Sequence, residues 1–82
     1  MAVGDEVRSF ILSELAPRRG VTAFDDDHDL LASGIIDSLG VTELVAFLEE
    51  RFRVTIDSEE IVPENFRSVS GIEAFLGRKG LT

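Results

Sequence analysis

Between Val41 and Phe52 the apolar residues Val41, Leu44, Val45, Leu48 and Phe52 recur at helical spacing; at 100° per residue they share one stripe about 100° wide. A helix with such a stripe is stable only when another surface covers it. Two more segments can supply that cover. Val3, Val7, Phe10, Ile11 and Leu15 give a helix over residues 3–16, ended by Pro17 and Gly20, and Val69, Ile72, Phe75 and Leu76 give a helix over residues 68–78. The expectation is an all-α single domain over residues 1–82, with three longer helices packed face to face.

The remaining segments are shorter or irregular. After Val54-Thr55-Ile56, Asp57 or Ser58 can cap a short turn through Ile61 and Val62, which Pro63 stops. Ser70-x-x-Glu73 fits a capping box for the last helix, and Ser68 is an equally good cap. Gly77 and Gly80 let that helix fray. From Val21 to Asp37 no helical period is sustained, which is long for a loop in so small a domain and marks it as functional or misread. Phe24, Leu30 and Leu31 are expected to pin it. The second helix begins near Ser38, with Asp37 or Ser38 as its cap, and runs to about Arg53.

Size and charge narrow the function. The 82 residues allow one modest core, with roughly 60–65% of the unfolded chain's surface buried. Cysteine is absent, so disulfides and thiolate metal ligation are excluded, and any thiol must arrive on a cofactor. The N-terminus lacks a basic start followed by an apolar run, and no stretch nears the 18 or so apolar residues of a membrane span; the expectation is a soluble cytoplasmic protein. The net charge of −8 is concentrated: residues 21–66 hold twelve Asp or Glu and two Arg, hence −10, while residues 1–20 sum to zero and residues 67–82 to +2. Such a field repels phosphate backbones and anionic lipid and attracts proteins with basic patches.

The acidic centre surrounds Leu30-Leu31-Ala32-Ser33-Gly34-Ile35-Ile36-Asp37-Ser38-Leu39-Gly40, which delivers the Ser38 hydroxyl to the first turn of the second helix. Three letters, Asp-Ser-Leu, would by themselves mark only an N-cap. The match extends further, through Glu43-Leu44, Leu48-Glu49-Glu50-x-Phe52, Val54-x-Ile56 and Pro63-Glu64-Asn65-Phe66. In order and spacing this resembles the acyl and peptidyl carrier protein family. The resemblance implies a four-helix carrier-protein bundle, three longer helices and one short, with a long loop between the first two. It also implies a 4′-phosphopantetheine arm from coenzyme A attached to Ser38, with Asp37 and Leu39 supporting attachment and a divalent metal taking part in the modifying enzyme. Partners would be a phosphopantetheinyl transferase, an acyl- or aminoacyl-loading enzyme and a downstream synthase or transferase. Leu39, Glu43, Ala46, Phe47, Glu49 and Glu50 would form the docking face of a monomer.

A helix N-terminus suits such a serine, because its free N–H groups and macrodipole favour a phosphate by about 0.3–1 kcal/mol when exposed. Gly34 lets the loop turn, and Gly40 leaves space beside the arm. Fatty-acid-synthesis carriers typically have a further acidic residue and a bulky apolar one where this chain has Gly40 and Ala46, and an apolar contact in place of Thr42. These departures point to specialised biosynthesis, polyketide, nonribosomal peptide or related, ahead of the housekeeping fatty acid pathway. Leu44, Leu48, Ile61 and Phe66 could line a space for cargo or simply form core.

Other readings are weaker. Asp25-Asp26-Asp27-His28-Asp29 has alternate carboxylates, but a calcium loop from Asp25 would need Gly at Leu30 and Glu at Ile36. A Ser-His hydrolase would need His28 to reach Ser38 and lacks Gly-x-Ser-x-Gly. An unmodified helical module docking through Leu39, Glu43, Ala46 and Phe47 remains as an alternative that would tolerate Ser38→Ala. Arg18-Arg19 reads as favouring a helix C-terminus. Phe10, Phe52, Phe66 and Phe75 read as core, while Phe47 either lies against a neighbouring helix or stands beside the docking face.

Overall fold

A computed structural model describes residues 3–80. Helices α1 (Val3–Phe10), α2 (Ser38–Phe52), α3 (Pro63–Phe66) and α4 (Val69–Arg78) surround one apolar core, and no strand occurs among the described residues. The core draws Val7, Ile11 and Leu15 from the first segment, Leu44, Val45 and Leu48 from α2, Phe66 from α3, and Val69, Ile72, Phe75 and Leu76 from α4. Val41 and Phe52, at the two ends of the α2 stripe, are only half-buried. Burying each large aliphatic or aromatic side chain contributes roughly 1.5–3 kcal/mol.

The first helical segment outruns its expected end. Beyond Phe10 it continues through a wider turn at Ile11–Leu15 and a tighter one at Ala16–Arg19. The Ala16 N–H reaches back five residues to the Ile11 carbonyl. Pro17 has no N–H to donate and its ring crowds the preceding turn, so the helix changes pitch there and does not stop. Gly20, at φ 71°, ends it: its N–H donates to the Pro17 carbonyl at 3.2 Å, and the Val21 N–H donates to Ala16 at 3.1 Å. The extra turn carries Arg18 and Arg19 toward the start of α2.

Residues 21–37 are tied down along most of their length. Asp29 Oδ1 accepts the N–H groups of Leu31 (3.1 Å) and Ala32 (2.8 Å), and Ile36 N–H donates to the Leu30 carbonyl at 3.0 Å. Leu30 N–H donates to the Arg67 carbonyl (2.7 Å), and Ser70 N–H to the Asp26 carbonyl (2.9 Å), fastening the loop to the junction of α3 and α4. Leu30, Ile35 and Ile36 are buried, and Phe24 and Leu31 pack at the margin.

One proline assignment changes, and the choice between two serine caps is decided. Pro63 opens α3 and does not close the preceding turn, which is confined to Ser58–Glu60; the first helical position needs no N–H donor, so proline fits it. Ser68 is the cap of α4, its Oγ accepting the Gly71 N–H at 3.0 Å. Glu73, the other half of the expected box, lies instead against α1, where a Cβ on Gly4 would stand 3.0 Å from its Oε1.

Candidate functional site

The start of α2 is built by Asp37. Its backbone is extended (φ −105°, ψ −170°), its carboxylate accepts the Gly40 N–H at 2.8 Å, and its carbonyl accepts the Val41 N–H at 2.8 Å. Ser38 is thereby the first helical residue and is exposed. The N–H groups of Ser38 and Leu39 have no hydrogen-bond partner among the described residues, and they face the end of the helix that favours negative charge. Gly34, at φ 81°, makes the turn that brings the loop to this point. Gly40 has a different use from the one expected: it is buried, and a Cβ there would lie 3.2 Å from Ile36 Cγ2 and 3.4 Å from Asp37 Oδ1. Its missing side chain lets the loop close on the helix.

Beside Ser38 runs an open groove with a cavity volume of 540 Å³, floored by Leu31, Ile36, Val41, Ile61, Val62 and Phe66, with Asp37 and Ser38 on its edge. Of the four residues considered for such a space, Ile61 and Phe66 line it, whereas Leu44 and Leu48 are wholly buried in the core. The wall formed by residues 61–66 is held from behind. Lys79 Nζ donates to both Glu60 oxygens at 3.0 Å, Asn65 Nδ2 donates to the Glu60 carbonyl at 2.8 Å, and Arg78 donates to Asn65 Oδ1 at 2.8 Å. Glu60 also accepts the Asp57 N–H at 2.9 Å, and this bond, with Lys79, holds its carboxyl below the ordinary range.

Both carboxylates flanking Ser38 are paired within the chain. Arg19 Nη2 donates to Asp37 Oδ2 at 2.5 Å, and Arg18 grips Glu43 with two bonds, at 2.7 and 2.9 Å. The Gly40 N–H, joined by the charge of Arg19, holds the Asp37 carboxyl below its ordinary value; Arg18 does the same to Glu43 and is itself raised. Arg18 and Arg19, in the last turn of their own helix, thus also act on α2. Their role was invisible in the sequence, since no spacing rule links residues 18 and 43.

The expected docking residues are divided. Leu39, 63% exposed, Ala46 and Glu50 stand free on one side of α2. Glu49 turns inward enough for its Oε2 to accept the Ile56 N–H at 2.9 Å, fixing the chain after α2. Phe47 is half-buried and stacked on Phe10, ring centroids 4.2 Å apart and planes 13° from parallel. The acidic loop is likewise put to structural use, with Asp26 paired to Arg8 and Asp29 bonding its own loop. No group of three His, Asp or Glu side chains positioned for a metal ion occurs among the described residues. His28 lies near Phe24, centroids 6.5 Å apart, and is not among the residues lining the groove at Ser38.

The site is an exposed serine at a helix start, with free N–H groups and an apolar groove alongside. The family model for the phosphopantetheine attachment site matches residues 9–76, and the chain belongs to that family. Over 46 residues it is 39% identical to a D-alanyl carrier protein of Streptococcus suis (strain 98HAH33), covering 56% of this chain and 58% of the relative. Over 54 residues it is 35% identical to a probable acyl carrier protein, PigG, of Serratia sp. (strain ATCC 39006), covering 66% and 62%. The chain thus spans about three-fifths of the length of the curated relatives it matches. The family's cofactor is covalent 4′-phosphopantetheine, and the residues present fit it. An exposed hydroxyl, two unpaired N–H groups and a neutralised Asp37 suit a phosphodiester, and the groove suits an apolar extension. No helix among the described residues is long and apolar enough to cross a membrane.

Proposed function

We propose that this chain is a non-catalytic carrier acting in trans, in which Ser38 bears the arm and pathway intermediates are passed between enzymes. The observation that carries the reading is the placement of Ser38, exposed at the first position of α2 beside the groove. In attachment by a phosphopantetheinyl transferase, Ser38 Oγ bonds to the phosphorus of coenzyme A nearest the pantetheine. The pyrophosphate P–O bond breaks, adenosine 3′,5′-bisphosphate leaves, and the hydroxyl proton passes to a base on the transferase. Once attached, the arm supplies the thiol this cysteine-free chain lacks, on which cargo is held as a thioester.

The chain's own residues position and advertise that serine. Asp37 fixes the helix start, and the N–H groups of Ser38 and Leu39 would be the donors for the phosphodiester of the attached arm. Leu39, Ala46 and Glu50 form the free docking strip on α2, extended by Glu43 and the outer edge of Glu49, with Phe47 behind them. Partners are the transferase, a loading enzyme and a downstream synthase or transferase, met by a monomer in the cytoplasm. The names of the relatives, one an aminoacyl and one an acyl carrier, support either cargo class. The small, polar strip around Thr42 and Ala46 supports specialised biosynthesis.

Intact-mass spectrometry of the chain with coenzyme A and a broad-specificity phosphopantetheinyl transferase tests this. One added phosphopantetheine, absent from Ser38→Ala, is the expected result. A folded chain left unmodified while a control carrier is modified overturns it in favour of a plain interaction module.

A further inference from the structure

Glu43 is the first acidic side chain of α2, in its second turn, and it is held in a two-bond fork by Arg18 from the end of the first helical segment. Asp37, on the other side of Ser38, is held by a single bond from Arg19. Two of the negative charges nearest the serine are therefore cancelled before any partner arrives, in a region that otherwise carries −10. Glu49 already accepts a backbone N–H, which leaves Glu50 as the one α2 carboxylate with no hydrogen-bond or ion-pair partner among the described residues. A partner that uses Glu43 must first displace Arg18.

We infer that Arg18 is a specificity-determining residue of the carrier, an internal competitor that makes Glu43 available only to an enzyme whose own cation replaces the guanidinium. The pair is suited to exchange. Arg18 is half exposed and Glu43 about one-third exposed, so the fork can open without unpacking the core. Unlike a packed contact, a solvent-accessible ion pair re-forms quickly and weakens with salt. Partners without a basic group facing Glu43 meet a nearly neutral surface around Leu39, while partners with one regain a charge pair for the one they break. The fork thus tempers the pull of the acidic centre on every basic protein.

This rests on the carrier reading, and the test keeps the two apart. Phosphopantetheine transfer is measured with a phosphopantetheinyl transferase and coenzyme A on the wild type, Arg18→Gln, Arg18→Gln/Glu43→Gln and Arg53→Gln. Arg53 makes no ion pair among the described residues, so its variant reports the effect of one lost positive charge alone. Freeing Glu43 lowers KM about threefold at low salt, leaves kcat unchanged, and loses this gain at high salt; the double variant removes the gain. Arg18→Gln behaving like Arg53→Gln, or the double variant keeping the gain, overturns the inference while leaving the carrier reading intact. A wild type that accepts no phosphopantetheine overturns the carrier reading instead. Arg18→Lys keeps the charge but loses the fork, and an intermediate KM is expected from it; a KM equal to that of the wild type would assign the effect to charge alone and also overturn the competitor role of the fork.

Discussion

At the scale of single residues, the site depends on what is missing at position 40. A glycine in the first turn of a helix costs about 1 kcal/mol relative to alanine, so Gly40→Ala would stabilise α2 if the space were open. The space is not open: a Cβ would stand 3.2 Å from Ile36, which is itself 1% exposed, and 3.4 Å from the capping oxygen of Asp37. Ile36 has no room to retreat, and overpacking of that kind costs roughly 1–3 kcal/mol. Gly40→Ala is therefore expected to destabilise the fold by about 1 kcal/mol net, read by urea unfolding. A gain in stability would show that the loop yields easily. The identity of residue 40 is thus set by the junction of loop and helix, and the room it leaves beside Ser38 is a by-product.

At the scale of elements, α2 was legible because its determinants are local. A 3.6-residue period gives its buried face, and a side-chain oxygen at Asp37 gives its start. The first segment was legible in its face but not its end, since the response of a helix to Pro17 is a change of pitch as readily as a stop. The long loop was hardest to read: Ile35 and Ile36 are adjacent and both buried, a pattern that follows from the path of the chain and matches no period. The pairing of Arg18 and Arg19 with α2 is equally non-local. Phe47 illustrates the same limit, for its position on the wheel left open whether it docks partners or packs on a helix, and the structure stacks it, half-buried, on Phe10. Phe47→Ala is accordingly expected to cost about 2 kcal/mol, part burial and part aromatic contact, while the KM for phosphopantetheine transfer to the folded variant stays within about twofold. A large rise in KM with little loss of stability would return Phe47 to the docking face.

At the scale of the whole molecule, acid acts through two opposing effects. The net charge of −8 makes the folded chain repel itself, so lowering pH from 7 toward the isoelectric value of about 4.4 relieves repulsion and favours the fold. Asp37, Glu43 and Glu60 work the other way. Each is held below its ordinary value in the fold by N–H donors or cations, so the unfolded chain takes up protons first as pH falls. The stability they contribute is complete above the unfolded values, about 4, and drains away as pH drops through the lower folded values. Thermal unfolding should therefore show a melting temperature flat or rising gently from pH 7 to about 5 and falling below about 4. Glu60→Gln removes one of the titrating groups and should make the acid side shallower, even if its neutral-pH stability is lower. A melting temperature that does not fall between about pH 4 and pH 3 would mean that protonating the three carboxylates costs the fold nothing, and that the ion pairs around Ser38 and behind the groove wall hold side chains in place without stabilising the fold.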